Sequence, residues 1–171
     1  VFIALLNGNR KDRDVQSSIL STFMLLGSVF LVGSTEFITF FVALEVIALM
    51  NYAQVAMSLP VSSKEAAIKY FVQGSVFSAL FLLGMAFFFG ATGGFDFMDF
   101  TVKNQELYVV SVALMFLVLC FKLGAFPFHV WMPDGYSTVD RGNLASNFLI
   151  TKLVVGYGFI TVLLRLLNEA D

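Results

Sequence analysis

Four ionisable side chains stand inside long apolar runs of this chain: Glu45 in FFVALEVIALMNYA, Lys69 in EAAIKYF, Lys122 in VLCFKLGAFPF and Lys152 in NFLITKLVVGYG. A charge at the centre of a bilayer costs several kcal/mol unless it faces protein, water or a partner, so such a residue marks a functional position by default. Taking a charged group out of water disfavours its charged form, and an opposite charge nearby favours it. A carboxylate that moves relative to an amine can therefore load or release a proton, and these four residues outline a proton relay. Asn51, Tyr52, Gln54, Gln73 and Ser78 follow at helical spacing and can hold the intervening waters. The plainer reading of the same charges is a structural ion pair that fixes helix register, with Lys69 snorkelling from a helix end.

Beside Lys122 the pattern breaks. LGAFPF places Gly124 and Pro127 inside an apolar segment, and proline there frees backbone carbonyls that must be satisfied by protein or water. Discontinuous helices of this kind line ion sites in transporters, although many membrane helices tolerate a plain proline kink. His129 follows the break and can pass protons near neutral pH, or it can anchor at the membrane interface with Trp131. Pro133-Asp134-Gly135 reads as a turn. Cys120 reads as an apolar helix residue, Gly74, Ser75, Ser78, Ala79 and Gly84 as a packing stripe, and the 21 phenylalanines as lipid-facing bulk.

The elements that carry these residues must lie in a membrane. Of the 171 residues 58% are hydrophobic and 13% charged, where soluble domains carry about a quarter charged residues. The expected fold class is all-α, a polytopic membrane protein with five transmembrane helices. Uncharged stretches near the 20 residues needed to cross place them at about 17–32, 36–57, 64–90, 107–134 (broken near 124–127) and 143–167. Pro60 closes the second helix and the Ser62-Ser63-Lys64-Glu65 signal opens the third. Residues 1–16 read as an apolar stub and a charged loop, the remainder of a truncated or split preceding segment, and 17–171 as one membrane domain.

Successive crossings put Arg10, Lys11, Arg13, Lys64 and Arg141 on one side and Lys103 and Arg165 on the other. The positive-inside rule turns the N-terminal side toward the cytoplasm or the mitochondrial matrix. The acidic loop from Gly93 to Asp99 falls on the opposite side. A formal net charge of −2 leaves no basic excess for nucleic acid, and one cysteine and one histidine make no disulfide, iron–sulfur cluster, zinc site or bis-histidine haem. GxxxxGK(S/T), GxGxxG and HExxH patterns do not occur.

In order along the chain, ALEVIALMNYA, SSKEAAIKYFVQGSVFSALFLLGMAFFFGATG, FKLGAFPFHVWMPDGY and NFLITKLVVGYG resemble subunit 2 of NADH dehydrogenase, the antiporter-like N subunit of respiratory complex I. The likeness runs from about Ser17 to Leu167. Its most specific part is Lys122, Pro127, Phe128, His129, Trp131, Pro133, Asp134 and Tyr136, whereas STVDRGNLASN after PDGY departs from the family pattern.

The resemblance implies a five-helix unit with a broken fourth helix that acts as a proton half-channel. Glu45 falls on the family's buried glutamate, Lys122 on its paired lysine, Lys69 on its linking lysine and Lys152 on its central relay lysine. It further implies a proton-translocating subunit of NADH:ubiquinone oxidoreductase that binds no cofactor and no metal itself. FMN, iron–sulfur clusters and ubiquinone would sit elsewhere in the complex. The partners implied are other membrane-arm subunits, a second chain supplying the other half of the subunit, and the lipid bilayer. The expected location is the mitochondrial inner membrane, with the bacterial plasma membrane as the alternative. Two other classes fit the same residues: a subunit of a multi-subunit Na+/H+ antiporter, and a scaffold that moves nothing.

Overall fold

The computed structural model describes residues 10–57, 61–129, 131–133 and 149–168. Five long helices run through them: α1 Arg10–Val32, α2 Phe37–Ala56, α3 Val61–Thr92, α4 Gln105–Leu123 and α5 Leu149–Asn168. They close a ring in which α1 packs on α2, α2 on α3, α3 on α4, α4 on α5, and α5 back on α1. Among the described residues four helices are long and apolar enough to cross a membrane: Val15–Val32, Phe37–Ala56, Lys64–Thr92 and Gln105–Leu123.

Two boundaries differ from those read in the sequence. Residues 10–16, expected as a loop, are the first turns of α1. Arg10, Lys11 and Arg13 end the apolar run without ending the helix, because arginine and lysine are good helix formers and charge ends a crossing rather than the backbone hydrogen-bond ladder. Similarly α3 spans 32 residues, about 48 Å at 1.5 Å per residue, and so exceeds a hydrocarbon core of about 30 Å. Pro60, the turn at Asp134 and Gly135, Tyr136, Arg141 and the start of the fifth helix at 143–148 lie outside the described residues.

The acidic loop is a plug. Phe37 N–H donates to Phe95 O at 2.9 Å and Phe97 N–H to Thr35 O at 3.1 Å, so the loop pairs with the first turn of α2 and uses a donor that the helix leaves free. Asp96 accepts from the amides of Met98 and Asp99, and Phe97 and Phe100 enter the core. Gly93, at φ 91°, ends α3, and Asn104 caps α4 by accepting from the amides of Glu106 and Leu107.

Several phenylalanines are core rather than lipid-facing. Phe37, Phe40, Phe81, Phe88 and Phe97 are almost fully buried and meet edge-to-face or stacked, with Phe37 and Phe88 at 4.7 Å between centroids. In a bilayer apolar surface gains nothing from leaving lipid, so helix association rests on close packing, and interlocked rings supply it. The outward faces are also apolar, among them Phe23, Phe30, Ile68, Val76, Val109 and Leu153.

Small residues set the helix separations. A Cβ built on Gly158 of α5 would lie 2.8 Å from Leu31 of α1 and 2.9 Å from Phe40 of α2, whereas one on Gly156 meets only Leu123 at 3.8 Å. Gly158→Leu is therefore expected to lower stability by about 2 kcal/mol through overpacking, and Gly156→Ala to be tolerated. Thermal melting of the purified protein in detergent distinguishes them, and equal midpoints would show that the α5 contact is not close-packed.

Candidate functional site

A helix that ends inside a membrane bundle must find donors for its last carbonyls among protein groups or water. At the end of α4 Gly124 turns left-handed, at φ 74°, a conformation that glycine adopts without steric cost. Its amide donates to Phe121 O and that of Ala125 to Cys120 O, both at 2.9 Å. Trp131 returns from beyond the break and donates Nε1–H to Phe121 O at 3.2 Å. Lys152 of α5 donates its ammonium to Lys122 O at 2.7 Å.

Lys122 occupies the last turn of α4, where the negative end of the helix dipole favours a cation. Its Nζ lies 2.9 Å from Glu45 Oε1, which also accepts from the Ser78 hydroxyl at 2.6 Å. α3 and α4 thus each donate one bond to a single carboxylate oxygen carried by α2. The pair is unevenly desolvated: the Lys122 side chain is 9% exposed and that of Glu45 26%.

The Lys152 ammonium also sits over the indole face of Trp131, 4.5 Å from its centroid, a cation–π contact. Trp131 is itself clamped. Its ring lies parallel to Tyr70 of α3 at 4.4 Å, and Tyr70 meets Tyr52 of α2 edge-on at 4.4 Å. The Tyr52 hydroxyl fills the space that a Cβ on Gly74 would need, which ties α2 closely to α3. One aromatic stack therefore connects both helices to the segment beyond the break.

Glu45, Lys122 and Lys152 are brought together, with Ser78 bonded directly to the carboxylate. Lys69 is placed elsewhere: it pairs with Glu65 at 2.8 Å on an exposed face of α3. Nine residues separate it from Ser78 on the same helix, about 13 Å along the axis and half a revolution round it. His129 is exposed, its ring 5.7 Å from that of Phe126. The sequence reading placed Trp131 in the family motif but gave it no part in the site, although it is 4% exposed. The signal was the chain's one tryptophan a single turn after a glycine–proline break. Thr151, hydrogen-bonded by Asn51 at 3.4 Å, gave no comparable signal.

Comparison with known proteins follows this geometry. Residues 34–170 match the family described as NADH:quinone oxidoreductase/Mrp antiporter, transmembrane. The chain is similar to NADH-quinone oxidoreductase subunit N of Bdellovibrio bacteriovorus, 36% identical over 145 residues that cover 81% of this chain and 30% of the relative. It is similar also to that subunit of Francisella tularensis, 37% identical over 166 residues covering 88% and 34%. The chain thus spans about a third of the length of these curated relatives.

Among solved structures, respiratory complex I from Thermus thermophilus superposes with a TM-score of 0.73 at 29% identity, covering 95% of this chain and 36% of that one. A membrane-bound sulfane sulfur reductase, an archaeal respiratory membrane complex, superposes at 0.67 with 26% identity, covering 82% and 29%.

Removing one member of a desolvated ion pair leaves the other charge uncompensated. Lys122→Met is expected to cost about 3 kcal/mol, and Lys122→Met combined with Glu45→Gln to recover most of that loss. A thermal-melting cycle on the purified protein reads the coupling, and additive effects would show that the two side chains do not support each other.

Proposed function

Because the chain belongs to the NADH:quinone oxidoreductase/Mrp antiporter transmembrane family, we propose that it is a proton-translocating membrane-arm subunit of an NADH:quinone oxidoreductase. Its similarity to proteins named subunit N of that enzyme supports the redox-driven role over a redox-free antiporter. Quinone reduction and the redox centres would lie in other subunits, and further membrane-arm chains would be its partners. The chain is a multi-pass membrane protein. The relatives quoted are bacterial, which favours a bacterial plasma membrane over the mitochondrial inner membrane expected from the sequence. On this reading α5 makes the fifth crossing, and the Arg10 end faces the cytoplasm by the distribution of basic residues.

The observation that carries the proposal is the Lys122–Glu45 pair at the tip of the broken helix, in contact through Lys122 O with the Lys152 ammonium. With the carboxylate at 2.9 Å the Lys122 ammonium is compensated. Once the Lys152 ammonium has given its proton onward to water, withdrawing the carboxylate removes that compensation in a desolvated site, and the Lys122 proton passes through water to the Lys152 amine, leaving Lys122 neutral and Lys152 an ammonium again. Return of Glu45 draws a new proton onto Lys122. Lys69, on the outward face of α3, would hand protons to a neighbouring subunit rather than to Lys122. No step is assigned to His129.

Glu45→Gln keeps the shape of the side chain and removes its charge. In the assembled complex reconstituted in vesicles, it is expected to lower proton transfer by tenfold or more, with Glu45→Asp retaining part of it. Pumping by the Gln variant at the wild-type rate per quinone reduced would remove Glu45 from the relay.

A further inference from the structure

Hydroxyls inside the helices follow one habit. Ser21, Ser28, Ser75, Thr92 and Thr161 each donate to the backbone carbonyl four residues earlier, at 2.8, 2.7, 2.9, 2.9 and 3.0 Å. A hydroxyl is thereby satisfied within its own helix, which matters in a bilayer, where bulk water cannot compensate it. Ser78 departs from the habit. It is 8% exposed, and its hydroxyl donates at 2.6 Å to Glu45 Oε1 across the seam between α3 and α2. Ser75, three residues before it and facing outward, folds back onto Phe71 O. Gly74 O stands to Ser78 as Phe71 O stands to Ser75, four residues earlier in the same helix.

Close packing lets so short a side chain reach its neighbour. The Tyr52 hydroxyl of α2 occupies the space beside Gly74 of α3 that a side chain would fill. Gly74 is one turn from Ser78, and Tyr52 two turns from Glu45, so this contact sets the helix separation next to the hydroxyl–carboxylate bond.

The two donors to Oε1 hold it on different terms. The Lys122 bond at 2.9 Å draws its strength from the ammonium charge and loses it once Lys122 is neutral. The Ser78 hydroxyl is a donor whatever the charge of Lys122. Of these two donors, only the hydroxyl keeps the closed position of the carboxylate marked while Lys122 is neutral. When the carboxylate withdraws, rotation about one bond turns the hydroxyl to Gly74 O, so release leaves no buried donor without an acceptor.

We infer that Ser78 is a positioning residue of the relay, a two-position latch whose hydroxyl holds Glu45 against Lys122 and turns to Gly74 O when the carboxylate withdraws. This rests on the proton-transfer reading of Glu45 and Lys122. It adds what brings the carboxylate back in the half of the cycle in which no charge on Lys122 attracts it. No proton leaves the serine, whose hydroxyl exchanges one acceptor for another.

Three replacements separate the hydroxyl from its volume. Ser78→Thr keeps a hydroxyl able to make both bonds, Ser78→Cys keeps the shape with a weak donor, and Ser78→Ala has no donor. In the whole complex in sealed vesicles, initial rates of proton transfer are measured for each beside Glu45→Gln, and native-gel migration shows which variants assemble.

The Ala and Cys variants are expected to fall about fivefold or more, and the Thr variant to stay within about twofold of the unsubstituted complex. A role in packing alone predicts the reverse order, because cysteine fills the serine site and threonine overfills it. Unchanged rates in Ser78→Cys or Ser78→Ala overturn the inference, whether or not Ser78→Thr assembles. Loss of transfer in Glu45→Gln with unchanged rates at Ser78 would remove the latch and leave the ion-pair relay. Normal transfer in Glu45→Gln would remove the relay and the latch with it.

Discussion

A helix that stops in the middle of a bilayer exposes carbonyls where no bulk water can reach them, and the arrangement around α4 is the answer to that constraint. Gly124 and Ala125 fold two amides back onto Phe121 and Cys120. Side chains from a distance in sequence add to these: Trp131 donates a second bond to Phe121 O, and Lys152 donates to Lys122 O. Bringing an ammonium to a helix C-terminus is favourable in itself, but it adds a second cation close to Lys122. Glu45 supplies the opposing charge. The carboxylate, the two lysines and the tryptophan are therefore parts of one solution to a broken ladder.

The bundle is asymmetric along its axis. At the end that carries the Gly93 to Phe100 loop, phenylalanines from α2 and α3 interlock with the loop and with Tyr108, whose hydroxyl also donates to Leu166 O of α5. Among the described residues at this end no buried side-chain oxygen or nitrogen lacks a partner. Toward the Arg10 end the interior changes to amides, hydroxyls and the Tyr52, Tyr70 and Trp131 stack. The charged pair sits between the two regions, so the aromatic block fixes the register of α2 and α3 and thereby the positions of Glu45 and Ser78.

What the sequence disclosed follows the same physics. Glu45 and Lys122 stood out because a charge in an apolar run has few explanations, and Gly124 and Pro127 because both oppose helix continuation. Their partnership did not stand out, since 77 residues separate them and no local period links α2 to α4. Lys69 looked equivalent to the others in one dimension. Nine residues before Ser78, it turns half a revolution away, which becomes legible only once Ser78 is known to face Glu45. The phenylalanines misled for a related reason: hydropathy measures transfer from water, and in lipid it does not separate a core ring from an outward one. The extent of α1 was obscured because charge, which ends a crossing, was taken to end a helix.

In the proposed relay the more exposed carboxylate is the partner placed to move. Lys122 is 9% exposed and belongs to a residue whose carbonyl is simultaneously held by Lys152, whereas Glu45 is 26% exposed and held through one oxygen. Shifting the end of α4 with its αL glycine would break the Lys152 contact to Lys122 O and disturb the indole beneath Lys152. Moving the carboxylate requires a side-chain rotation and the loss of one hydroxyl bond. A small rearrangement of Glu45 thus changes the charge compensation of Lys122 while the backbone that positions both lysines stays in place. Lys122 serves two neighbours through two different atoms, and for that reason a displacement of the helix tip would act on Glu45 and Lys152 together, while a rotation of Glu45 acts on one.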